Sequence, residues 1–410
     1  MKTLFLITLP LLVAAPVGAQ PLPGLPDAAV REAIDAHPRT RAAEAKVDAA
    51  RQEARALRTG PHEFTVSGDY VNRSVAGEGD FKEYSVILER PIRLPGKGAL
   101  DRKAGDLTIA VSALRAEDTR HQLALQLNEL WWDWLRAGAE ARILAETQAT
   151  LERSHWVVER QVKAEDAALV DADRAMAEVA LNEAALGATQ GRVSVARDRL
   201  VAQFAGLALP AEVPPLPLPA LPMPELARLR EAVTTCNHEL PAAMAEADRL
   251  TALSERRRRD RLADPTIGAR IFSERGGMEK GAGVVFSVPF GGRHRAALSD
   301  QAAAEARAAV ADAAIARRDV EEMATTDFSE AVGTVRAWEA SQVAVASSTR
   351  AVERLRAGHR LGHVDLADLL YGERQAKDAL LAESIARAAA LRAEARLRID
   401  AHALWLDCDH

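Results

Sequence analysis

The sequence predicts a mainly α fold with a small β portion: two internal repeats of long antiparallel helical coiled coils, carrying four β-strands per chain. Three observations predict it. The chain superimposes on itself at an offset of roughly 200 residues, with Ala42-Ala43 falling on Ala242-Ala243, Pro61 near Pro265, Pro91 on Pro289 and Ala99-Leu100 on Ala297-Leu298. Each copy contains two short segments in which polar and apolar residues alternate. The rest is Ala-rich and nearly free of helix breakers over stretches longer than a compact globule needs.

The elements follow in order. Residues 1–19 read as an export signal: Lys2, the apolar run Leu4 to Val17, then the small-x-small pattern Val17-Gly18-Ala19 before Gln20. That run is shorter than the roughly 20 residues of a spanning helix, no Cys follows it to take a lipid, and no other segment approaches spanning length. Any membrane crossing therefore falls to strands. The first repeat, 20–205, reads as a helix from Asp27 to Arg58 with Pro38 near its start, a hairpin over 62–91, a long helix from Gly98 to about Lys163, and a return helix from about Leu169 to Phe204. A Pro-rich linker, 206–224, leads to the second repeat, 225–406: a helix from Glu225 to Arg261, a hairpin over 265–290, a long helix from about Arg293 to Arg360, and a return helix from Ala367 to Leu406. Residues 407–410 read as a frayed tail.

The strands carry one wet and one greasy face. Phe64, Val66 and Tyr70 oppose Glu63, Thr65, Ser67 and Asp69; Tyr84, Val86 and Leu88 oppose Ser85 and Glu89. In the second copy Ile267, Ala269 and Ile271 alternate with Gly268 and Arg270, Gly276-Gly277 make the turn, and Ala282, Val284, Phe286, Val288 and Phe290 form the apolar face of the return strand. The helices carry a different period. Leu123, Leu127, Leu130, Trp134, Ala137, Ala141, Leu144, Gln148, Leu151, His155, Val158 and Val162 step by alternating fours and threes, the heptad of a left-handed supercoil. Each long helix spans about 100 Å and each return helix about half that, so two half-length helices end to end match one full-length helix. Four strands cannot close a barrel, for which about eight is the practical minimum, and hydrocarbon tolerates no unpaired edge. Three chains would give twelve strands.

Composition excludes several classes. A net charge of −6 is too small for a nucleic-acid binder, aromatics are 4%, and charge is interspersed as on a solvated coiled-coil face. Cys236 and Cys408 make neither a disulfide framework nor a metal ribbon; they could pair in an oxidising compartment, and their spacing leaves that open. There is no Gly-rich phosphate loop, nucleophile elbow or paired-His motif, so no enzyme, catalytic residue or cofactor is expected. The histidines are scattered singly and no metal site is expected; the ligand types in Asp407-Cys408-Asp409-His410 sit in a chain end with no second cluster. Trp134 belongs to the heptad seam, and Trp131 and Trp132 read as packing where the Pro-rich linker crosses.

The helix, hairpin, helix plan repeated twice, the segment Pro91-Ile92-Arg93-Leu94-Pro95-Gly96-Lys97-Gly98 and the turn Gly362-His363-Val364-Asp365-Leu366-Ala367-Asp368-Leu369-Leu370 together resemble TolC-like outer-membrane efflux proteins over essentially the whole mature chain. The resemblance implies a homotrimer whose twelve-stranded barrel crosses the outer-membrane lipid and whose α-helical tunnel runs through the periplasm. It implies docking to a periplasmic adaptor (membrane fusion) protein and to an inner-membrane pump of the resistance-nodulation-division type. Leu94-Pro95-Gly96-Lys97 is similar to the branch that exports heavy-metal cations. In the family, aspartates just after the second tip turn line the constricted entrance; Asp368 matches the first such position, while Tyr371 occupies the second. Asp171 is its first-copy counterpart, with Asp173 beside it. A ring of symmetry-related carboxylates around a narrow pore focuses negative potential and draws cations. For Asp171 and Asp365 the favoured reading is helix cap or dipole partner. His359 and Arg360, before Gly362, fall where the family holds its tips closed, and His359 stands where the family often has Tyr. The basic run Arg256, Arg257, Arg258, Arg259 with Arg261 falls at the expected membrane boundary, where it would meet anionic head groups or form a solvated face. The alternative reading is a periplasmic coiled-coil adaptor or scaffold of a transport complex, although an adaptor carries more β structure and fewer helices.

Overall fold

The structure, a computed structural model, describes residues 24–220 and 222–408; the expected export signal and the last two residues lie outside the described residues. The element order is α1 (Asp27–Asp35), α2 (Pro38–Thr59), β1 (Thr65–Val75), β2 (Gly79–Pro91), α3 (Lys97–Lys163), α4 (Leu169–Gln203), α5 (Met223–Cys236), α6 (Glu239–Arg259), β3 (Thr266–Glu274), β4 (Glu279–Ser287), α7 (Arg293–Arg360) and α8 (Leu366–Asp400). The two long helices have 67 and 68 residues and their return helices 35 each.

The matching of short helices to long ones is realised in side-chain contacts. Near the strands, α2 lies on the first part of α3, where Arg58 pairs with Asp106 at 2.5 Å. Toward the tip α4 takes over, with Asn182 Nδ2 donating to Leu144 O at 3.0 Å and Arg192 pairing with Glu140 at 2.8 Å. In the second repeat Arg261 pairs with Asp300 at 2.7 Å near the strands, and Trp338 Nε1 on α7 donates to Glu383 on α8 at 2.8 Å. Every residue of the α3 seam is buried or half-buried. Trp131, Trp132 and Trp134 are buried in one cluster with Leu207 and Leu216 of the linker.

Four expectations need correction. Asp27 to Arg58 is two helices, because Pro38 starts α2 and cannot continue a preceding helix. The helix from Glu225 to Arg261 is likewise broken, into α5 and α6: inside an unbroken helix the Pro241 ring would clash with the carbonyl of Asn237, and Asn237 instead accepts from Leu240 N at 3.1 Å. The two breaks stand at the repeat offset. Strand β4 ends at Ser287, before Pro289, so Val288 and Phe290 lie beyond the sheet. Finally α8 ends at Asp400 rather than Leu406, and the tail is not frayed over its described part. His402 turns back at φ 53°, Leu404 and Trp405 are buried, Asp407 pairs with Arg31 at 2.6 Å, and Cys408 is disulfide-bonded to Cys236 with Cα atoms 5.3 Å apart.

That disulfide closes a loop spanning a sequence separation of 172 residues, so cutting it should free considerable chain entropy in the unfolded state. Cys236→Ser with Cys408→Ser is expected to cost about 2–4 kcal/mol, read as a lowered urea midpoint of the helical circular-dichroism signal that the reductant-treated parent reproduces.

Candidate pore-forming elements

The four strands form one antiparallel sheet in the order β1-β2-β3-β4. Register fixes its faces. Val66, Leu88, Ala269 and Val284 lie in one row across the sheet, and Gly68, Val86, Ile271 and Ala282 in the next on the same side. The alternate rows carry Thr65, Glu89, Gly268 and Val285, and Ser67, Ile87, Arg270 and Gly283. On this polar side Ser85 donates to Asp69. The apolar side is bare: Val66, Phe286 and Val284 are 68%, 65% and 83% exposed. Strands of 11, 13, 9 and 9 residues are long enough to cross a bilayer when tilted. Among the described residues no helix is long and apolar enough to cross one. Among the described residues the outer edges of β1 and β4 pair with no further strand.

Sheet meets helices at an ionic junction that the sequence did not reveal. The Lys97 ammonium is buried and donates to Asp264 at 2.8 Å and to Leu262 O at 2.7 Å, with Asp260 at 3.0 Å. Asp264 also accepts from Leu94 N at 3.0 Å and lies 3.2 Å from His62 Nε2. Asp101 is held by Arg256 at 2.7 Å and Arg93 at 3.4 Å, and Arg256 also pairs with Asp260. Arg93, Leu94 and Lys97 come from the segment singled out in the sequence; their acidic partners, far along the chain, carried no local signal. Of the basic run, Arg256 turns inward to this junction. Arg257, Arg258, Arg259 and Arg261 are exposed, with Arg258 paired to Glu255 at 2.7 Å and Arg261 to Asp300. All four arginines at 256–259 fall in the last turn of α6, where cations suit the helix dipole.

At the far end the helices turn at residues 164–168 and 361–365. Gly362 takes φ 71°, the left-handed position that ends α7, and His363 N donates back to Gly358 O at 2.9 Å. Asp365 caps α8, its carboxylate accepting from Asp368 N at 2.8 Å. Asp368 is exposed in the first turn. His359 Nδ1 donates to Val364 O at 2.9 Å, which closes the turn within the chain, and Arg360 is exposed. In the first copy Asp171 pairs with Arg174 at 3.5 Å, Asp173 is exposed, and the cap position is Ala168, with no side chain to accept. The tips are held by Val158, Leu366, Leu369 and Leu370 in a small apolar cluster, by Arg356 paired with Glu373 at 3.0 Å, and by Arg374 paired with Glu178 at 3.4 Å. A Cβ at Gly372 would meet the terminal methyl of Leu355 on α7, which would have to swing aside.

This architecture can be compared with known proteins. No family model matches the chain, and no curated protein matches it. Solved structures do. A membrane protein from Pseudomonas aeruginosa is 17% identical with a TM-score of 0.78, covering 91% of this chain and 89% of its own. The outer membrane protein VceC of Vibrio cholerae is 15% identical with a TM-score of 0.72, covering 93% and 96%. The open state of the Neisseria gonorrhoeae MtrE outer membrane channel is 15% identical with a TM-score of 0.73, covering 93% and 90%. The chain has the TolC-like outer-membrane channel fold. Within that TolC-like fold, the junction stands where sheet becomes helix and the tip turns stand at the opposite end of the long helices.

Lys97→Met should cost about 1–3 kcal/mol, because the half-buried Asp264 loses its ammonium partner while Asp260 keeps Arg256. The same cluster sets an acid limit. Burial pushes the pKa of Asp260 and Asp264 up, but hydrogen bonds from Arg256 and Lys97 to Asp260, and from Lys97, Leu94 N and His62 to Asp264, outweigh this and hold both below the ordinary 3.8. A depressed folded-state pKa contributes stability that is fully present above the unfolded value and lost as pH falls through the folded one. The parent should therefore lose stability steeply below about pH 4, and Lys97→Met should flatten that limb in urea melts taken as a function of pH.

Proposed function

We propose that this chain is the outer-membrane channel, or exit duct, of a tripartite efflux system in a two-membrane cell envelope. The observation that carries the reading is the sheet: four strands of bilayer-crossing length, greasy on one side and polar on the other, with two edges left open. In lipid those edges must be paired, and a homotrimer does so by closing twelve strands into a barrel with the polar rows facing the lumen. The α3 and α7 helices, with their return helices, would continue the tube through the periplasm to the tips at Glu165 and Gly362. The exposed Arg257, Arg258, Arg259 and Arg261 then face the inner-leaflet head groups. A periplasmic adaptor and an inner-membrane pump, of the resistance-nodulation-division type in the family, would meet the tips. The cargo is a toxic compound or a metal cation; the Leu94-Pro95-Gly96-Lys97 segment favours the second. The bare apolar sheet face disfavours the adaptor or scaffold alternative, since a soluble protein would be left with an exposed patch it must hide.

Asp368 is the residue proposed to select for cations at the tip, while Asp365 serves the turn as its cap. The protein should fractionate with the outer membrane, run as a heat-labile trimer and conduct in a planar bilayer; a soluble monomer without conductance would overturn the reading. In the same bilayer Asp368→Ala should weaken block by multivalent cations, and unchanged block would remove Asp368 from the entrance.

A further inference from the structure

Where α3 passes the break between α5 and α6, three potential ligands converge. Asp118 and His121 stand one turn apart on α3, and Glu239 is the first residue of α6; one ligand atom from each lies within 4.8 Å of the others. A carboxylate and a His at i and i+3 face the same side of a helix, a spacing that metal-binding helical bundles use. His121 is 5% exposed, and its orientation is fixed from behind: Nε2 lies 2.7 Å from Oδ1 of Asp400, whose side chain is fully buried. That contact sets Nε2 as the donor and aims Nδ1 at the two carboxylates, with Glu239 Oε1 at 3.8 Å, beyond hydrogen-bond reach. A buried carboxylate behind the ring is the support that metal-ligating histidines have. Among the described residues Asp118 is met by Gln122 Nε2 at 3.5 Å, and both Asp118 and Glu239 are half-exposed, which leaves an entry path from solvent.

We propose that Asp118, His121 and Glu239 form a binding site for a divalent transition metal of the zinc class, which would clasp α3 to the start of α6. One imidazole and two carboxylates suit zinc, cobalt(II) or nickel(II) better than copper(I), which prefers thiolate and thioether sulfur. Small side-chain rotations bring atoms already within 4.8 Å to the ~2.0–2.2 Å bond lengths such ions require. The neighbourhood is otherwise anionic or neutral. The His402 ring lies 5.5 Å from that of His121 and packs beside it. The cation Arg396 is engaged on the far side, by Asp327 at 3.1 Å and Asp400 at 3.5 Å. The Cys236–Cys408 disulfide anchors the end of α5, three residues before Glu239.

The test uses the full mature protein in detergent, without a polyhistidine tag, and reads metal alone. Cobalt(II) should develop visible d–d absorption that saturates at about one ion per chain and is displaced by zinc. Asp118→Asn and Glu239→Gln, which keep size and shape, should each weaken zinc binding in calorimetry at least about tenfold, with helical content unchanged. Zinc should also raise the melting temperature of the parent and not of the Asp118→Asn, Glu239→Gln double variant. The proposal is overturned if binding is absent, if it survives undiminished in the double variant, or if His410→Ala abolishes it and so places the ion on the tail. None of these outcomes depends on conductance, so channel function and metal binding stand or fall separately.

Discussion

The pairing of Lys97 with Asp260 and Asp264 is the contact on which the rest of the molecule depends, because it is where the two repeats and the two kinds of secondary structure meet. Lys97 opens α3 just after β2, and the two aspartates lie between α6 and β3. Beside them Ile92 N donates to Pro265 O at 2.7 Å, continuing the pairing of β2 with β3. A hinge at this point would let sheet and helices move independently. Three cations and three carboxylates packed largely away from water resist that, since each charge displaced would be left buried without its partner. The Arg93 guanidinium adds a second strap, donating to the carbonyls of Leu57 and Arg58 at the end of α2.

With the junction fixed, helix length becomes a structural quantity. A helix of 67 residues with an apolar seam must cover that seam along its length, and here it receives α2 and α6 near the sheet and α4 and α8 toward the tip. The small side chains of the Ala-rich stretches let these helices approach closely. Gly105 against Ala54 is the tightest such approach in the first repeat, a place where any Cβ would strike the facing backbone. The breaks before Pro38 and near Pro241 relieve the short helices at one height, and there the Pro-rich linker, the tryptophans and the C-terminal tail fill the space around α3.

What the sequence disclosed and what it hid divide along the range of the interaction. The long helices were legible to within a residue, because no breaker interrupts them and, in α3, the seam from Leu123 to Val162 repeats its heptad six times so that noise in one position is outvoted. Strand faces were legible too: Val66 with Leu88 and Asp69 with Ser85 fall on the sides their alternation assigns. The break after Cys236 was written in Pro241, as the one after Asp35 was in Pro38, and was passed over, whereas the end of α8 at Asp400 carries no proline or glycine to mark it. The junction was hidden because Lys97 and Leu262 are separated by 165 residues. The tip candidates were only half legible. Asp365 and Asp368 follow the turn that located them, but which one caps and which one faces solvent is decided by a hydrogen bond of 2.8 Å to a backbone N–H that the sequence does not show.

The two tips are built alike and are not equally strong. Each long helix ends with the same back-bonded turn, Asp166 N donating to Gln161 O at 2.8 Å in the first copy as His363 N does to Gly358 O in the second. The left-handed residue is Gly362 in the second copy but Glu165 in the first, at φ 63°, where a side chain costs about 1 kcal/mol that glycine avoids. The return helix is capped by Asp365 in the second copy and by Ala168, without a side-chain acceptor, in the first, a further loss of about 1 kcal/mol. His359 adds a bond to Val364 O that has no counterpart among the described residues of the first turn. The α7–α8 turn is thus the stiffer element and the α3–α4 turn the softer one. In any movement of the tips the second repeat's turn would travel as a rigid body, and the first would absorb the change in backbone angle.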